Sequence, residues 1–304
     1  MALPHPRDWR SPYVLLCLAS LLWAGNLVVG RAMRADIPPV AMAFWRWTIA
    51  FALVLPFGAP EAWARRRDIA RAWPVLALSG VIGIAVFNTM CYIGLTMTTA
   101  TNGTLFNSVV PVFIPPIAWL LLRERTTVAQ MAGILVSLTG VIVIVAKGDT
   151  QTLRELAFNR GDVWLVAAMM LWALYTVLLR FRPAGMGMLA FLTTVLVFGW
   201  PFLLVWYLFE LGSGAGFSLT PGTVATLVYY GVFPSVVAFV CYNRGVAAAG
   251  PTRAGVFVHL VPVFGIVLST VLLNEPPHPY HFGGMALIFA GIVLTTRRRA
   301  RPGA

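Results

Sequence analysis

Long apolar windows, separated by short charged, proline-rich or glycine-rich breaks, run along the whole chain. Trp73 to Leu122 contains no charged residue. That length accommodates two hydrocarbon-spanning helices of about 20 residues each, with a tight turn near Thr96 to Ala100. The pattern predicts ten spans: Pro12 to Gly30, Pro38 to Phe57, Trp73 to Leu95, Ala100 to Leu122, Val128 to Ala146, Asp162 to Leu179, Gly187 to Phe209, Thr223 to Val246, Thr252 to Leu273 and His281 to Thr296. The longest expected connections are the basic segment around Arg65-Arg66-Arg67, the mixed-charge segment Lys147 to Arg160 and the glycine-rich turn Gly212 to Gly222. No hydrophilic stretch is long enough for a soluble domain. The fold class is therefore an all-α polytopic membrane protein.

The spans repeat. Thr101 to Val145 holds a proline-interrupted apolar helix, a charged turn and a glycine-spaced helix, and the same punctuation returns from Thr252 to Leu294. Pro111-Val112-Phe113 recurs as Pro262-Val263-Phe264, Glu124 as Glu275, Gly133 as Gly284 and Gly140 as Gly291, all 151 positions apart. Leu22-Trp23-Ala24 recurs as Leu171-Trp172-Ala173 at an offset of 149, and Gly80 and Gly94 recur as Gly231 and Gly245. Identities held at one offset across several spans mark a duplicated unit, with residues 1–150 as the first five-helix repeat and 151–304 as the second. Five is odd, so the second unit enters the membrane from the opposite face. Two inverted five-helix repeats are the architecture of alternating-access transporters; some channels share it.

Composition agrees with the pattern. Of 304 residues, 59% are hydrophobic and 11% charged, against roughly a quarter charged in soluble domains. The formal charge of +12 would suggest nucleic acid in a soluble protein. Here the basic residues cluster at span ends, where they set orientation and meet anionic lipid, so no nucleic-acid partner is expected. With the N-terminus inside, sixteen Lys and Arg residues fall on cytoplasmic ends, including Arg7, Arg10 and the tail Arg297 to Arg301. Five fall opposite: Arg31, Arg34, Lys147, Arg154 and Arg160. Both termini are thus expected in the cytoplasm, with the lipid bilayer as the chief partner. The first apolar run lacks a clear small-residue cleavage site and reads as an uncleaved span rather than a signal peptide. Cys17, Cys91 and Cys241 lie within apolar spans without metal-ligand spacing and read as small core residues.

The run Leu21-Leu22-Trp23-Ala24-Gly25-Asn26, Phe44-Trp45-Arg46, the two Pro-Val-Phe elements, the glutamate turns at 124 and 275 and the glycine-spaced fifth and tenth spans together resemble the EamA-type transporters of the drug/metabolite transporter superfamily. The resemblance covers both repeats. It implies a ten-helix bacterial inner-membrane permease, commonly an exporter of amino acids or related metabolites.

Several polar residues lie inside spans. An ionised Arg46 in span two is costly unless it faces a cavity or finds partners. It either recognises a substrate carboxylate through charge-assisted hydrogen bonds or is a structural arginine bonded to backbone carbonyls. All ten carboxylates fall at or outside span ends, and the first span lacks the glutamate that proton-driven small multidrug exporters resemble one another in having. A proton relay through a mid-membrane carboxylate is therefore expected to be absent, leaving facilitated movement or exchange. His259 shares a helical face with Gly255 and Pro262 and is read either as a hydrogen-bonded structural residue or as a substrate or proton group; its counterpart is Ser108. Trp23 with Asn26, Asn88 with Tyr92, Asn107 with Pro111, Trp172 with Tyr175, and Asn243 with Ser235 and Phe239 place polar and aromatic groups on shared faces. Such faces line a cavity for a zwitterion or simply bond one helix to another. Pro111 and Pro262 break their helices at matched positions, as hinges or as packing kinks. Trp63 and Trp73 read as interface anchors.

No metal cluster, cofactor motif or catalytic triad is present in the sequence, and neither enzyme activity nor a cofactor is expected. The reading is a secondary transporter of small molecules, with amino acids as the leading substrate class, working as a monomer or homodimer. Its site is expected at mid-membrane among spans 1, 3, 4, 6, 8 and 9. The alternatives are an exporter of drugs or other cationic or aromatic compounds, which calls for a buried carboxylate, and a non-transporting membrane scaffold or sensor, which needs no polar faces in both repeats.

Overall fold

The structure, a computed structural model, describes residues 11–32, 37–149, 151 and 159–297. Arg7, Arg10, Arg34, Arg154 and the tail from Arg298 onward lie outside the described residues. Every regular element among those described is helical. In chain order they form α1 (Pro12–Ala32), α2 (Pro39–Ala64), α3 (Arg66–Met97), α4 (Asn102–Leu122), α5 (Val128–Val145), α6 (Arg160–Phe181), α7 (Met188–Gly212), α8 (Pro221–Ala249), α9 (Pro251–Leu273) and α10 (Pro279–Thr296). Nine of these are long and apolar enough to cross a membrane. The tenth, α1, has 21 residues and at 1.5 Å per residue reaches about 30 Å, the thickness of the hydrocarbon core.

One expected connection is absent. The basic segment at 65–67 is not a loop, because α2 continues through Pro56 and Pro60 to Ala64 and α3 starts at Arg66. Arginine is a good helix former, and Arg65 sits between Glu61 and Asp68 at 3.4 Å and 3.7 Å. The charged residues therefore continue the helical path with only a one-residue joint. Arg46 is the eighth of the 26 residues of α2.

The two halves meet as inverted copies. Helices α5 and α10 pack antiparallel through their glycines: a Cβ on Gly133 would strike the Gly291 carbonyl and Thr295, and one on Gly140 would strike the Gly284 carbonyl and Ile288. Each glycine thus faces the counterpart of the other one, as a two-fold relation requires. Helices α2 and α7 pair in the same way and cap one another. Glu210, near the end of α7, accepts from the amides of Val40 (3.0 Å) and Ala41 (2.6 Å) in the first turn of α2. Glu61, near the end of α2, accepts from Gly187 at the start of α7 at 2.7 Å. The two glutamates are 149 positions apart. Each satisfies orphan N–H groups and sits favourably at the positive end of the helix it caps.

The remaining pairings interlock the repeats. Helix α3 packs on α6 and α7, while α8 packs on α1 and α2; α4 contacts α6, and α9 contacts α1. Both long crossing helices contain a π segment at matched places, Val81–Val86 in α3 and Gly231–Val237 in α8. Helices α4 and α9 both end on a left-handed residue, Arg123 (φ 55) and Asn274 (φ 54). The outer faces carry large apolar side chains open to the surroundings, among them Phe57, Trp63, Trp73 and Phe209, as a hydrocarbon solvent demands.

Candidate substrate-binding site

Arg46 is 4% exposed and has no carboxylate partner among the described residues. Its Nε donates to Ser235 Oγ at 2.8 Å and its Nη1 to the Tyr92 hydroxyl at 2.7 Å. The guanidinium lies over the rings of Trp47 and Tyr230 at 5.5 Å and 6.0 Å, where aromatic faces attract a cation. These contacts draw on α2, α3 and α8 together. Two hydrogen bonds account for two of the five guanidinium donors, so the group retains capacity to bind an anion.

The π segment of α8 builds half of this nest. Pro234 has no N–H, so the helical bond that it would give to the Tyr230 carbonyl is lost. Ser235 Oγ donates to that carbonyl at 2.7 Å and accepts from Arg46. Trp23 Nε1 donates to the Pro234 carbonyl at 3.2 Å, and the Tyr230 hydroxyl donates to the Asn26 carbonyl at 2.9 Å. In α3 the matched π segment is held by Asn88, whose Nδ2 lies 3.3 Å and 3.0 Å from the carbonyls of Gly83 and Ile84. Asn88 is thereby committed to its own helix.

An aromatic cluster adjoins the nest. Trp172 is its hub, with ring centroids of Trp23 at 5.5 Å, Phe87 at 4.7 Å, Tyr175 at 5.1 Å, Phe239 at 5.3 Å and Tyr242 at 5.5 Å. Trp47, beneath the Arg46 guanidinium, meets Phe239 edge-on at 4.7 Å. Trp23 and Trp172 are repeat counterparts and touch at the centre. Asn243 Nδ2 donates to the Tyr175 hydroxyl at 2.9 Å. The corresponding residues of the first repeat, Tyr92 and Asn26, are used differently: Tyr92 holds Arg46, and Asn26 Oδ1 is buried without a hydrogen-bond partner. Asn107 is half-buried on α4 beside the break in that helix.

His259 is fully buried between α4, α5 and α9. Its Nε2 lies 2.7 Å from the Ser108 carbonyl, which can only accept, and so carries the hydrogen; Nδ1 therefore accepts from Ser137 Oγ, also at 2.7 Å. The break explains why that carbonyl is free. Ahead of Pro111, α4 opens at Ser108 and Val109, and the Val112 amide turns to Val109 instead of Ser108. In α9 the stretch before Pro262, Val256–His259, winds as a 3-10 turn. This is the arrangement of a structural staple, with both ring nitrogens engaged by protein.

Sequence reasoning did not single out Trp47, Phe87, Tyr230 and Tyr242 in the aromatic walls, nor the corner role of Asp162. Asp162 lies at a span end, as expected of the carboxylates, and is buried there at 1% exposure. It accepts from Thr98 Oγ1 (2.6 Å), Asn102 Nδ2 (3.1 Å) and the Asn159 amide (2.9 Å), tying the α3–α4 corner to the start of α6. The signal was available in Asn159-Arg160-Gly161-Asp162, whose ends form a reciprocal capping box. The donors that engage its oxygens are all uncharged groups of the protein.

This arrangement, a buried cation and an aromatic cluster at the contact of two inverted five-helix units, is that of a membrane transporter. The chain belongs to the EamA-like transporter family, whose model matches residues 10–146 and again 159–297. It is 30% identical over 300 residues to an uncharacterized transporter of Archaeoglobus fulgidus, covering 94% of this chain and 98% of that one. It is 28% identical over 285 residues to a probable terminal-alkyne amino-acid exporter of Streptantibioticus cattleyicolor, covering 93% and 92%. A solved crystal structure matches with a TM-score of 0.77 at 21% identity, over 94% of this chain and 96% of that chain, which establishes the shared fold.

Proposed function

We propose that this transporter exports small zwitterionic metabolites, amino acids foremost, by alternating access at a site between the repeats. The observation that carries the reading is a buried Arg46, without a carboxylate partner among the described residues, whose guanidinium lies over Tyr230; the Tyr230 hydroxyl bonds the backbone carbonyl of Asn26, a residue whose amide oxygen is buried without a hydrogen-bond partner. A guanidinium suits a substrate carboxylate, an amide oxygen accepts from an ammonium group, and Trp23, Trp172 and Phe239 supply apolar walls. The resemblance to an amino-acid exporter supports the same class.

In this reading Arg46, Asn26 and Tyr92 contact the polar ends of the substrate, and Trp23, Trp172, Tyr175, Asn243, Asn88 and Asn107 shape the path. Pro111 and Pro262 act as hinges, and His259 staples the two broken helices. Residues 1–150 and 151–304 move as the two units, in a bacterial inner membrane, with the Arg65 end of the bundle in the cytoplasm.

The test is counterflow in vesicles reconstituted with purified protein, using a panel of amino acids, nucleosides and organic cations, beside Arg46→Ala. The expected result is uptake of one or more amino acids, lost in the variant. Uptake of cations alone, or of nothing by folded protein, overturns the amino-acid reading.

A further inference from the structure

At the end of the bundle holding Arg65, Arg180 and Arg182, a second polar feature lies apart from the Arg46 nest. A cavity of about 310 Å³ opens where the α4–α5 turn, the start of α5, the end of α6 and the α8–α9 corner meet. Among the described residues Arg125, Arg180 and Arg253 line it, against a single carboxylate, Glu124, with Gln130 as a further donor. Glu124 is engaged only loosely: Arg180 Nη2 stands 3.6 Å away, and both side chains are 42% exposed. Arg253 Nε is buried with no hydrogen-bond partner, a costly state for a charged group's donor.

The opposite end of the molecule shows what such a corner looks like when it is filled. The counterpart of Arg253 is Asn102, 151 positions earlier, and its amide is held by the carboxylate of Asp162. At the α8–α9 corner an arginine takes the place of the asparagine, and no carboxylate of the described chain pairs with it. Among the described residues, the acid present at one corner has no equivalent at the other.

We propose that this cavity is an oxyanion-binding vestibule, in which Arg253, Arg180 and Arg125 receive the carboxylate or phosphate of a small molecule, Arg180 releasing Glu124 as the ligand arrives. Guanidinium groups match such anions in planar, two-point geometry. Two sources present this chemistry: a soluble anionic or zwitterionic metabolite on its way to the transport site, and the headgroup of an anionic lipid.

The test uses the full chain with Cys17, Cys91 and Cys241 replaced and Ala248→Cys as a reporter, since Ala248 is exposed and lines the cavity. The protein is placed in phosphatidylcholine vesicles and labelled with an anionic sulfonatoethyl or a cationic trimethylammonioethyl methanethiosulfonate. A concave site lined by one sign of charge concentrates the opposite ion, so the anionic reagent should react about tenfold faster. The preference should vanish in Arg253→Gln and weaken in Arg125→Gln, whose exposed side chain can be changed without disturbing the fold. Inorganic phosphate should slow the anionic reagent in phosphatidylcholine vesicles if the site takes soluble anions. Slowing by added phosphatidylglycerol alone assigns the same site to a headgroup. Equal rates for the two reagents, with neither phosphate nor phosphatidylglycerol protecting a protein of unchanged thermal stability, overturn the proposal. Arg46→Gln should retain the labelling preference, so failure of the vestibule and failure of the Arg46 site are distinguishable.

Discussion

The Nε2 hydrogen of His259 points to the carbonyl oxygen of Ser108 at 2.7 Å, and Ser108 stands at the same place in the first repeat, 151 positions earlier. The two broken helices are thus joined at their matched break points, with Ser137 closing the other side of the imidazole.

Replacing His259 by Ala should therefore act on stability. It orphans a buried carbonyl and a buried hydroxyl, each costing about 1–3 kcal/mol in a soluble core and nearer about 1 kcal/mol between membrane helices. Thermal unfolding in detergent should show the loss, while the dependence of transport on an imposed pH gradient stays as in the parent. A variant of parental stability that loses pH-gradient dependence would instead make His259 a proton carrier.

The Arg46 nest predicts a graded response. Tyr92→Phe and Ser235→Ala each remove one acceptor from the guanidinium. Each should raise the substrate KM by roughly 5- to 10-fold, the equivalent of about 1–1.4 kcal/mol, with maximal flux little changed. Arg46→Lys should be worse than either, because an ammonium cannot reproduce the planar fork. Parental KM values in both single variants would remove Arg46 from substrate recognition.

The reciprocal glutamate caps predict additivity. Glu61→Ala and Glu210→Ala each uncover helix N-terminal amides, at about 0.5–2 kcal/mol apiece. The two caps share no hydrogen-bond partner and sit at opposite ends of the paired helices, so the double variant should lose the sum of the single effects. Melting temperatures of the four proteins check this, and marked non-additivity would mean the helices communicate along their length.

The glycine contact predicts position dependence. Gly291→Leu drives a side chain into the Gly133 carbonyl and Ser137, where backbone must move; overpacking of that kind costs typically about 1–3 kcal/mol and should abolish stable folding of the α5–α10 pair. Gly265→Leu meets open space and should be accepted. Recovery of monodisperse protein by size-exclusion chromatography separates the two cases.

Much of the architecture was legible in the sequence. Apolar runs of spanning length, glycine and proline punctuation at one fixed offset, and an odd number of spans per copy were enough to derive ten helices in two inverted units. Periodicity also put Trp23 with Asn26, Trp172 with Tyr175 and Asn243 with Ser235 on shared faces, since one helical face is a property of spacing alone. It misjudged the 65–67 segment, where helix propensity and short-range ion pairs outweighed the appearance of a charged loop. It placed Asp162 at a span end, where the structure has it, but spacing could not show that the carboxylate is buried there by Thr98, Asn102 and Asn159.

What the sequence by itself determined is the part set by short-range rules: the cost of unpaired backbone in hydrocarbon fixes spans, and self-similarity fixes the repeat. Partners are a different matter. That Glu61 caps α7 while Glu210 caps α2, that Ser235 rather than a carboxylate meets Arg46, and that His259 closes on Ser108 were decided by the tertiary structure. Each bond joins residues 122 to 189 positions apart. Spacing along one helix names the face a side chain shares but not the helix that comes to meet it; only the antiparallel docking of the two copies brings those groups within hydrogen-bond reach.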